Sequence, residues 1–452
     1  MTKYDVIIIG GGISGLGVAA LLSKKGYKAI LLEEEPRTGG RSMSFPYRGY
    51  VVDVGNHQLA SYSTSGIGKI ISEVGAHLEL KTVKPSLMHY DLDTRKYTRA
   101  TSRERFGDTV YNDFKALIKA VTSLSKEDIN TYHAASAEGW ILENFNNDKG
   151  LVEFFKKITG FAGQPLEKVS AGAFLETLHD AFTSEATISY PAHNGIQAFS
   201  DALEKSIREN GGEVITEIDV KEVKFDGNKV RGISAQKRHP SLIADVEIDA
   251  PLVVSTIPLF SLSTLVSKEK IGKELLDKIE KIKAENFYYC GFIFGVKASL
   301  FDGFTEQFFQ WTIERPGMDW HVLMTIPTYI DPELAPKGYH LVFADSHAPL
   351  PYGDSSKVKQ RQGELLAVLK EVWPNFEDNI DWLHPTLYPN ILPLSQKSLT
   401  GPYCPGFVVP GLKGLYLAGD STYLSGSGIG SSIKSAFGCV AQIEKDNLLG
   451  KG

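Results

Sequence analysis

Three glycines carry the first chemistry in this chain. In "GGGISG", Gly10, Gly12 and Gly15 stand in a GxGxxG spacing between the apolar run "YDVIII" and the helical pattern "ISGLGVAALLSKKG". The first glycine permits a tight turn, the second lets a pyrophosphate approach the backbone, and the third packs a helix onto a strand. Ile13 and Ser14 open the helix, whose free N–H groups and positive dipole end face the anion. An acid about 20 residues further on accepts hydrogen bonds from ribose hydroxyls. Glu33, closing "KAILLE", occupies that place and disfavours a 2′-phosphate. By strand alternation Glu34 and Glu35 point elsewhere, as exposed charges, with Glu34 kept in the candidate set as the immediate neighbour.

The elements that must position these residues form a βαβ unit at the N-terminus. From about residue 97 to 190 the pattern is helical, as in "YNDFKALIKAVTSL" and "VEFFKKITGF", and reads as an inserted lobe. A helix "IQAFSDALEKSIRENGG" leads to two strands, "EVITEIDVKEVKF" and "KVRGISAQ", joined at "DGN"; "APLVVSTIP" and "GLYLAGD" are further buried strands. Four β-rich segments, "NFYYCGFIFGV", "QFFQWTI", "WHVLMTIP" and "YHLVFADS", suggest one wall of a second sheet.

The 452 residues, 42% of them apolar and 23% charged, with a net charge of −6, describe an enzyme-sized globular chain with no basic bias toward nucleic acid. Three scattered cysteines without a CxxC indicate neither a disulfide framework nor a metal site, and fit a cytoplasmic, reducing setting. The start "MTKYDVIIIG" is unlike a secretory signal. Val6 to Ser23 carry no charge, but the glycines interrupt them where a strand turns into a helix, which argues against a membrane span.

Beyond the glutamate, "EEEPRTGGRS" supplies Arg37, Gly39, Gly40 and Arg41, and here the sequence resembles the flavin-containing amine oxidoreductase superfamily. The resemblance implies FAD, with this loop along its pyrophosphate and ribityl chain. Small residues admit the backbone and arginines balance phosphate charge. Near the C-terminus, "GLYLAGDSTYLSGSGIGSSIKSAFGCVAQI" is similar to the closing FAD segment: Ala418, Gly419 and Asp420 match its turn, and Gly428, Ile429 and Gly430 stand where relatives approach the flavin ring. The match departs at Ser431, Ser432, Ser435 and Ala436, where relatives carry other small residues. "YVVDVGNHQL" resembles the segment entering beside the flavin, adding Gly55, Asn56 and His57; Val220 matches an adenine clamp, and Thr256 closes "LVVST" in the cofactor set.

The resemblance implies an α/β fold in which a Rossmann-like FAD-binding domain (1–80, 191–260, 405–452) is interleaved with a mixed-sheet substrate domain (81–190, 261–404) that bears the helical lobe. "IPTYIDPELAPKGYHLVF", through Asp331, Pro332, Ala335, Pro336 and Gly338, looks like phytoene-desaturase-like members. The expected activity is an FAD-dependent oxidoreductase that desaturates or isomerises carbon–carbon bonds of a hydrophobic small molecule. A flavin amine oxidase and, from another class, a GDP-dissociation-inhibitor-like binding protein are the alternatives; a nicotinamide dehydrogenase would leave the closing segment without purpose. Tyr288, Phe292, Phe294, Phe309 and Trp311 could line an apolar tunnel or pack a core. Phe154, Phe155 and Phe161 raise peripheral contact with the cytoplasmic face of a membrane against an ordinary amphipathic helix. No nucleophile or acid–base pair stands out, and catalytic residues stay unassigned. His57 is the candidate for a polar group near the flavin, ahead of Lys434, and oligomeric state is open.

Overall fold

The computed structural model describes residues 4–55, 58–60, 66–83, 87–158, 165–183, 188–239, 242–285, 287–302, 310–315, 318–351, 353–391, 399–400, 403–422 and 428–450. A parallel five-stranded sheet runs in the order Glu213–Ile215, Ala29–Leu32, Val6–Ile9, Leu252–Ser255, Leu415–Leu417. Val6 sits opposite both Ala29 and Leu252, and the three inner strands are buried throughout. Uninterrupted apolar runs are what a sheet covered on both faces requires.

Every residue of the first helix from Ile13 to Ser23 is buried. The helices Ile67–Val74, Gln197–Glu209 and Gly428–Asp446 pack around it. Gly17 permits the closest approach, since a Cβ there would lie 2.9 Å from Ala436 Cβ. The uncharged stretch is therefore an enclosed strand and helix, and among the described residues no helix is long and apolar enough to cross a membrane.

The segment expected to be one strand divides at Glu217, which has φ +57. Glu213–Ile215 joins the parallel sheet, whereas Ile218–Asp226 begins an antiparallel meander with Lys229–His239 and Leu242–Asp249. All four β-rich segments enter one seven-stranded mixed sheet, ordered Ile380–Ile391, Phe287–Lys297, Tyr339–Pro351, Val322–Thr325, Gln310–Glu314, Leu87–Asp91, Lys96–Arg99. Tyr97 thus belongs to a strand, and the lobe begins with the helix Arg103–Thr122.

Phe292, Phe294 and Trp311 fill the core on one face of this sheet together with Leu365 and Leu369 of the helix Ser355–Val372. Phe294 meets Phe376 edge-on at 5.4 Å between ring centres. Tyr288 packs beside a smaller cluster of Cys290, Leu350 and Val358. The core alternative therefore describes these four aromatics, while Phe309 lies outside the described residues. In the lobe, Phe154 and Phe155 are fully buried against Phe106, Phe114 and Phe174, so they offer nothing to a membrane. Phe161 lies outside the described residues.

Candidate cofactor site

The glycine turn has the geometry its spacing predicts. Gly10 adopts φ +102, and a Cβ on Gly15 would fall 1.9 Å from Gly10 O, so only glycine lets the helix settle on the strand. A Cβ on Gly12 would meet no protein atom within 4 Å. Gly12 caps the helix without a side-chain hydrogen bond, and the first turn, with Ile13 and Ser14, holds no acid. Its N–H groups stay available to an anion. Thr256 braces the turn, its hydroxyl donating to Ile9 O at 2.9 Å and Gly10 O at 3.1 Å.

Glu33 is 8% exposed and lies against the same turn. Its Oε2 accepts the Gly11 N–H and its Oε1 accepts the Glu35 N–H at 2.9 Å. Burial pushes this carboxyl above the usual carboxylate range, and the two N–H groups oppose that rise. Each oxygen retains a lone pair for a further donor. Glu34, Glu35 and Arg37 are exposed, and Arg37 Nη1 donates to Ser44 O at 3.2 Å. Val220 is buried two positions after Ile218, whose N–H donates to Glu33 O at 2.9 Å.

The distant motifs converge on this turn. Gly39 N–H donates to Gly11 O at 2.8 Å, and a Cβ on Gly40, at φ +58, would lie 3.2 Å from Gly12 Cα. Arg41 forms an ion pair with Asp420. A Cβ on Gly55 would lie 2.6 Å from Arg41 O, so the loop after Asp53 also abuts the Gly-Gly-Arg segment. Gly419 N–H donates to the buried Ser435 Oγ at 2.8 Å, and Ser14 Oγ to Ser432 O at 3.2 Å. Two of the serines that depart from the family pattern thus bind the closing helix to the turn and to the first helix. Ile429 is buried at the start of that helix between exposed Gly428 and half-buried Gly430. Lys434 turns away from solvent: Nζ contacts Glu176 at 3.0 Å and Asp180 at 2.6 Å on the lobe helix Ala171–Thr183. Asn56 and His57 lie outside the described residues.

Beneath the entry loop, Asp53 is fully buried and accepts from Ser44 Oγ at 2.6 Å, Tyr190 Oη at 2.6 Å and Ile196 N–H at 3.1 Å. Burial outweighs these donors and pushes its carboxyl up to about 6. Asp53 is a hub that joins the hairpin Ser44–Tyr47/Tyr50–Asp53, the strand Ile188–Pro191 and the start of the helix Gln197–Glu209.

The same hairpin covers the second sheet. Tyr47 contacts His384 and Tyr50 contacts Trp382, with ring centres 5.1 Å and 5.2 Å apart. Further along that face lie Asp345, Thr386 and Tyr388, which no motif in the sequence pointed to. Burial pushes the Asp345 carboxyl up to about 7, with neighbouring Thr386 pulling the other way. The one sequence signal was Gly291, a glycine inside a strand, which marks a close approach. Among the described residues no group of three or more His, Cys, Asp or Glu side chains could hold a metal ion.

A bare glycine turn, an uncapped helix N-terminus, a buried acid at the neighbouring strand end and an arginine loop laid across them suit the pyrophosphate and ribose of FAD. The model for the family described as flavin containing amine oxidoreductase matches residues 13–443. A chloroplastic prolycopene isomerase of Daucus carota is 24% identical, over 98% of this chain and 80% of its own length. A 4,4'-diapolycopen-4-al dehydrogenase of Metabacillus indicus is 23% identical, over 83% of this chain and 82% of its own. The crystal structure of an oxidoreductase from Methanosarcina mazei superposes with TM-score 0.74 at 22% identity, covering 97% of this chain and all of the other, a likeness of fold.

Proposed function

The chain belongs to the flavin containing amine oxidoreductase family, and from that premise we propose that it desaturates or isomerises carbon–carbon bonds of a hydrophobic polyene. It is an enzyme, a flavin oxidoreductase of the amine oxidase and carotenoid desaturase–isomerase type, and FAD is its cofactor. The observation that carries the finer reading is the likeness, along nearly the whole chain, to proteins named for carotenoid chemistry. Bound FAD supplies hydride acceptance; the protein supplies binding, orientation and exclusion of water.

In this reading Gly12, Ile13, Ser14 and Gly15 present backbone N–H groups to the pyrophosphate, Gly10 makes the turn with its own N–H held by Leu32 O at 2.8 Å, and Glu33 accepts the ribose hydroxyls. Arg41 is exposed, and an exposed ion pair contributes under about 1 kcal/mol, so its guanidinium can exchange Asp420 for a phosphate oxygen. Gly39, Gly40 and Gly55 keep that passage clear of side chains, and Thr256 and Gly419 hold the strand ends in place. Gly428, Ile429 and Gly430 direct a helix N-terminus toward the flavin ring, where its dipole favours negative charge. Val220 contacts the adenine side, and Glu34 and Arg37 border the ribose as exposed charges. The five-stranded sheet with its helices is the cofactor unit; the seven-stranded sheet and the lobe form the substrate unit.

One observation favours the amine oxidase alternative: Asp345, a buried carboxyl on the sheet face beside the cofactor loops, would pair with an ammonium. Anaerobic titration of the flavin band with polyenes, amines and porphyrinogens separates the readings. Bleaching by amines alone refutes the polyene proposal, bleaching by a polyene supports desaturation, and cis–trans conversion without bleaching supports isomerisation.

A further inference from the structure

Strand register brings together a polar patch that cofactor binding does not use. Gly291, in the middle of Phe287–Lys297, faces Asp345 on one neighbouring strand and Thr386 on the other, and Tyr289 faces Tyr388 one step along. Alternate residues of a strand share a face, so these side chains leave the same side of the sheet. The glycine has a visible purpose. A Cβ at Gly291 would lie 2.4 Å from Asp345 Oδ1, so the carboxyl leans over a point of the strand that carries no side chain.

Asp345 Oδ1, Thr386 Oγ1 and Tyr388 Oη are buried without a well-formed hydrogen bond among the described residues, Thr386 lying near enough to Asp345 and Tyr388 to interact only weakly with both. A buried polar group left unpaired costs roughly 1–3 kcal/mol, and folded proteins pair nearly all of them. Three in one patch mark a place for an occupant. The three residues keep some accessible surface while these polar atoms are buried. The patch is on the cofactor side of the sheet. The hairpin whose Tyr50 covers Trp382 runs on through Asp53 to Gly55 against Arg41, and the Asp53 carboxyl lies near enough to Tyr388 to act on it electrostatically.

A carboxyl group and two hydroxyls offer both donors and acceptors to one small oxygen-bearing group, whereas a plain hydrocarbon would leave all three unpaired. We propose that Asp345, Thr386 and Tyr388 bind a hydroxyl or carbonyl oxygen at one end of an otherwise apolar substrate. This rests on the hydrophobic-substrate reading and narrows it to an oxygenated polyene or lipid.

The test is binding to the FAD-loaded enzyme, read by quenching of tryptophan fluorescence, with three probes on one skeleton: all-trans-retinol, the hydrocarbon lacking its hydroxyl, and the corresponding primary amine. Retinol is expected to bind at least about 10-fold more tightly than the hydrocarbon, a preference of about 1.4 kcal/mol. Thr386→Val and Tyr388→Phe together should erase that preference while leaving hydrocarbon affinity and FAD content unchanged. These near-isosteric changes keep the test open should Asp345→Leu fail to fold. Equal affinities for alcohol and hydrocarbon, or a preference that survives the double substitution, overturn the proposal and leave the hydrophobic-substrate reading standing. Tightest binding of the amine overturns it in favour of an ammonium site. Binding of none of the three removes the hydrophobic reading, and the proposal with it.

Discussion

Replacing Gly12 with alanine separates cofactor binding from folding. Gly12 has φ −69 and ψ 176, a conformation open to alanine, and the added Cβ would meet no protein atom within 4 Å. The cofactor-free protein should therefore keep its stability to within about 0.5 kcal/mol. In the proposed complex the methyl group stands where the pyrophosphate approaches the backbone. Forcing an extra methyl into a packed contact costs about 1–3 kcal/mol; at about 2 kcal/mol, FAD affinity falls roughly 30-fold. Gly15→Ala is the contrasting control. Its Cβ would lie 1.9 Å from Gly10 O and 2.9 Å from Thr256 Oγ1, a collision with backbone that cannot relax locally. A loss of at least about 4 kcal/mol is expected there, enough to unfold the chain. Thermal melts of the cofactor-free proteins and ultrafiltration of reconstituted FAD report the two quantities separately. Wild-type FAD affinity in Gly12→Ala, or destabilisation of both variants alike, would refute the placement of the pyrophosphate on this turn.

Glu33→Ala removes the acceptor for two ribose hydroxyls at about 1.5 kcal/mol each and should lower FAD affinity about 100-fold, whereas Glu35→Ala, at an exposed side chain, should change it less than about threefold. Equal effects measured by equilibrium dialysis would misplace the ribose. Asp53, raised in the fold to about 6 from an ordinary value near 3.9, holds its proton more tightly when folded than when unfolded. Its contribution is therefore full below about pH 4 and lost as pH rises to about 6, by roughly 3 kcal/mol. Denaturant melts of wild type against Asp53→Asn should diverge by that amount across this window, and parallel pH profiles would contradict the assignment. Lys434→Met leaves Glu176 and Asp180 facing each other without their shared cation. A loss of about 2 kcal/mol, between surface and buried pairs, should loosen the lobe, and proteolysis there no faster than in wild type would rule out this anchoring role.

The cofactor half of the molecule was legible because each of its signals is local. The glycine turn, the uncapped helix start and the acid at the second strand end lie between Gly10 and Glu33, and the Gly-Gly-Arg loop and the Ala-Gly-Asp turn each carry their pattern within a few residues. Only their convergence, Gly39 on Gly11 and Arg41 on Asp420, required the fold. The second sheet was less legible. Ile380–Ile391 contains Pro385 and Pro389, which argue against a strand; it sits at the sheet edge, where proline is tolerated. Leu87–Asp91 pairs in parallel with Gln310–Glu314, more than 200 residues away, and no local pattern announces such a pairing. Alternating aromatics left tunnel and core open, and Phe292, Phe294 and Trp311 settled into the core. The patch at Asp345 was invisible for the same reason: Gly291, Thr386 and Tyr388 come to it across strands, through register alone.

The central claim, FAD-dependent chemistry at carbon–carbon bonds of a hydrophobic polyene, is tested most directly by anaerobic incubation of the FAD-loaded enzyme with polyenes, followed by chromatography of the recovered pigment. The account predicts conversion, as a new double bond or a changed double-bond geometry, that disappears when FAD is removed and returns when it is restored. Recovery of every polyene unchanged, while an amine is consumed with release of peroxide in air, would contradict it.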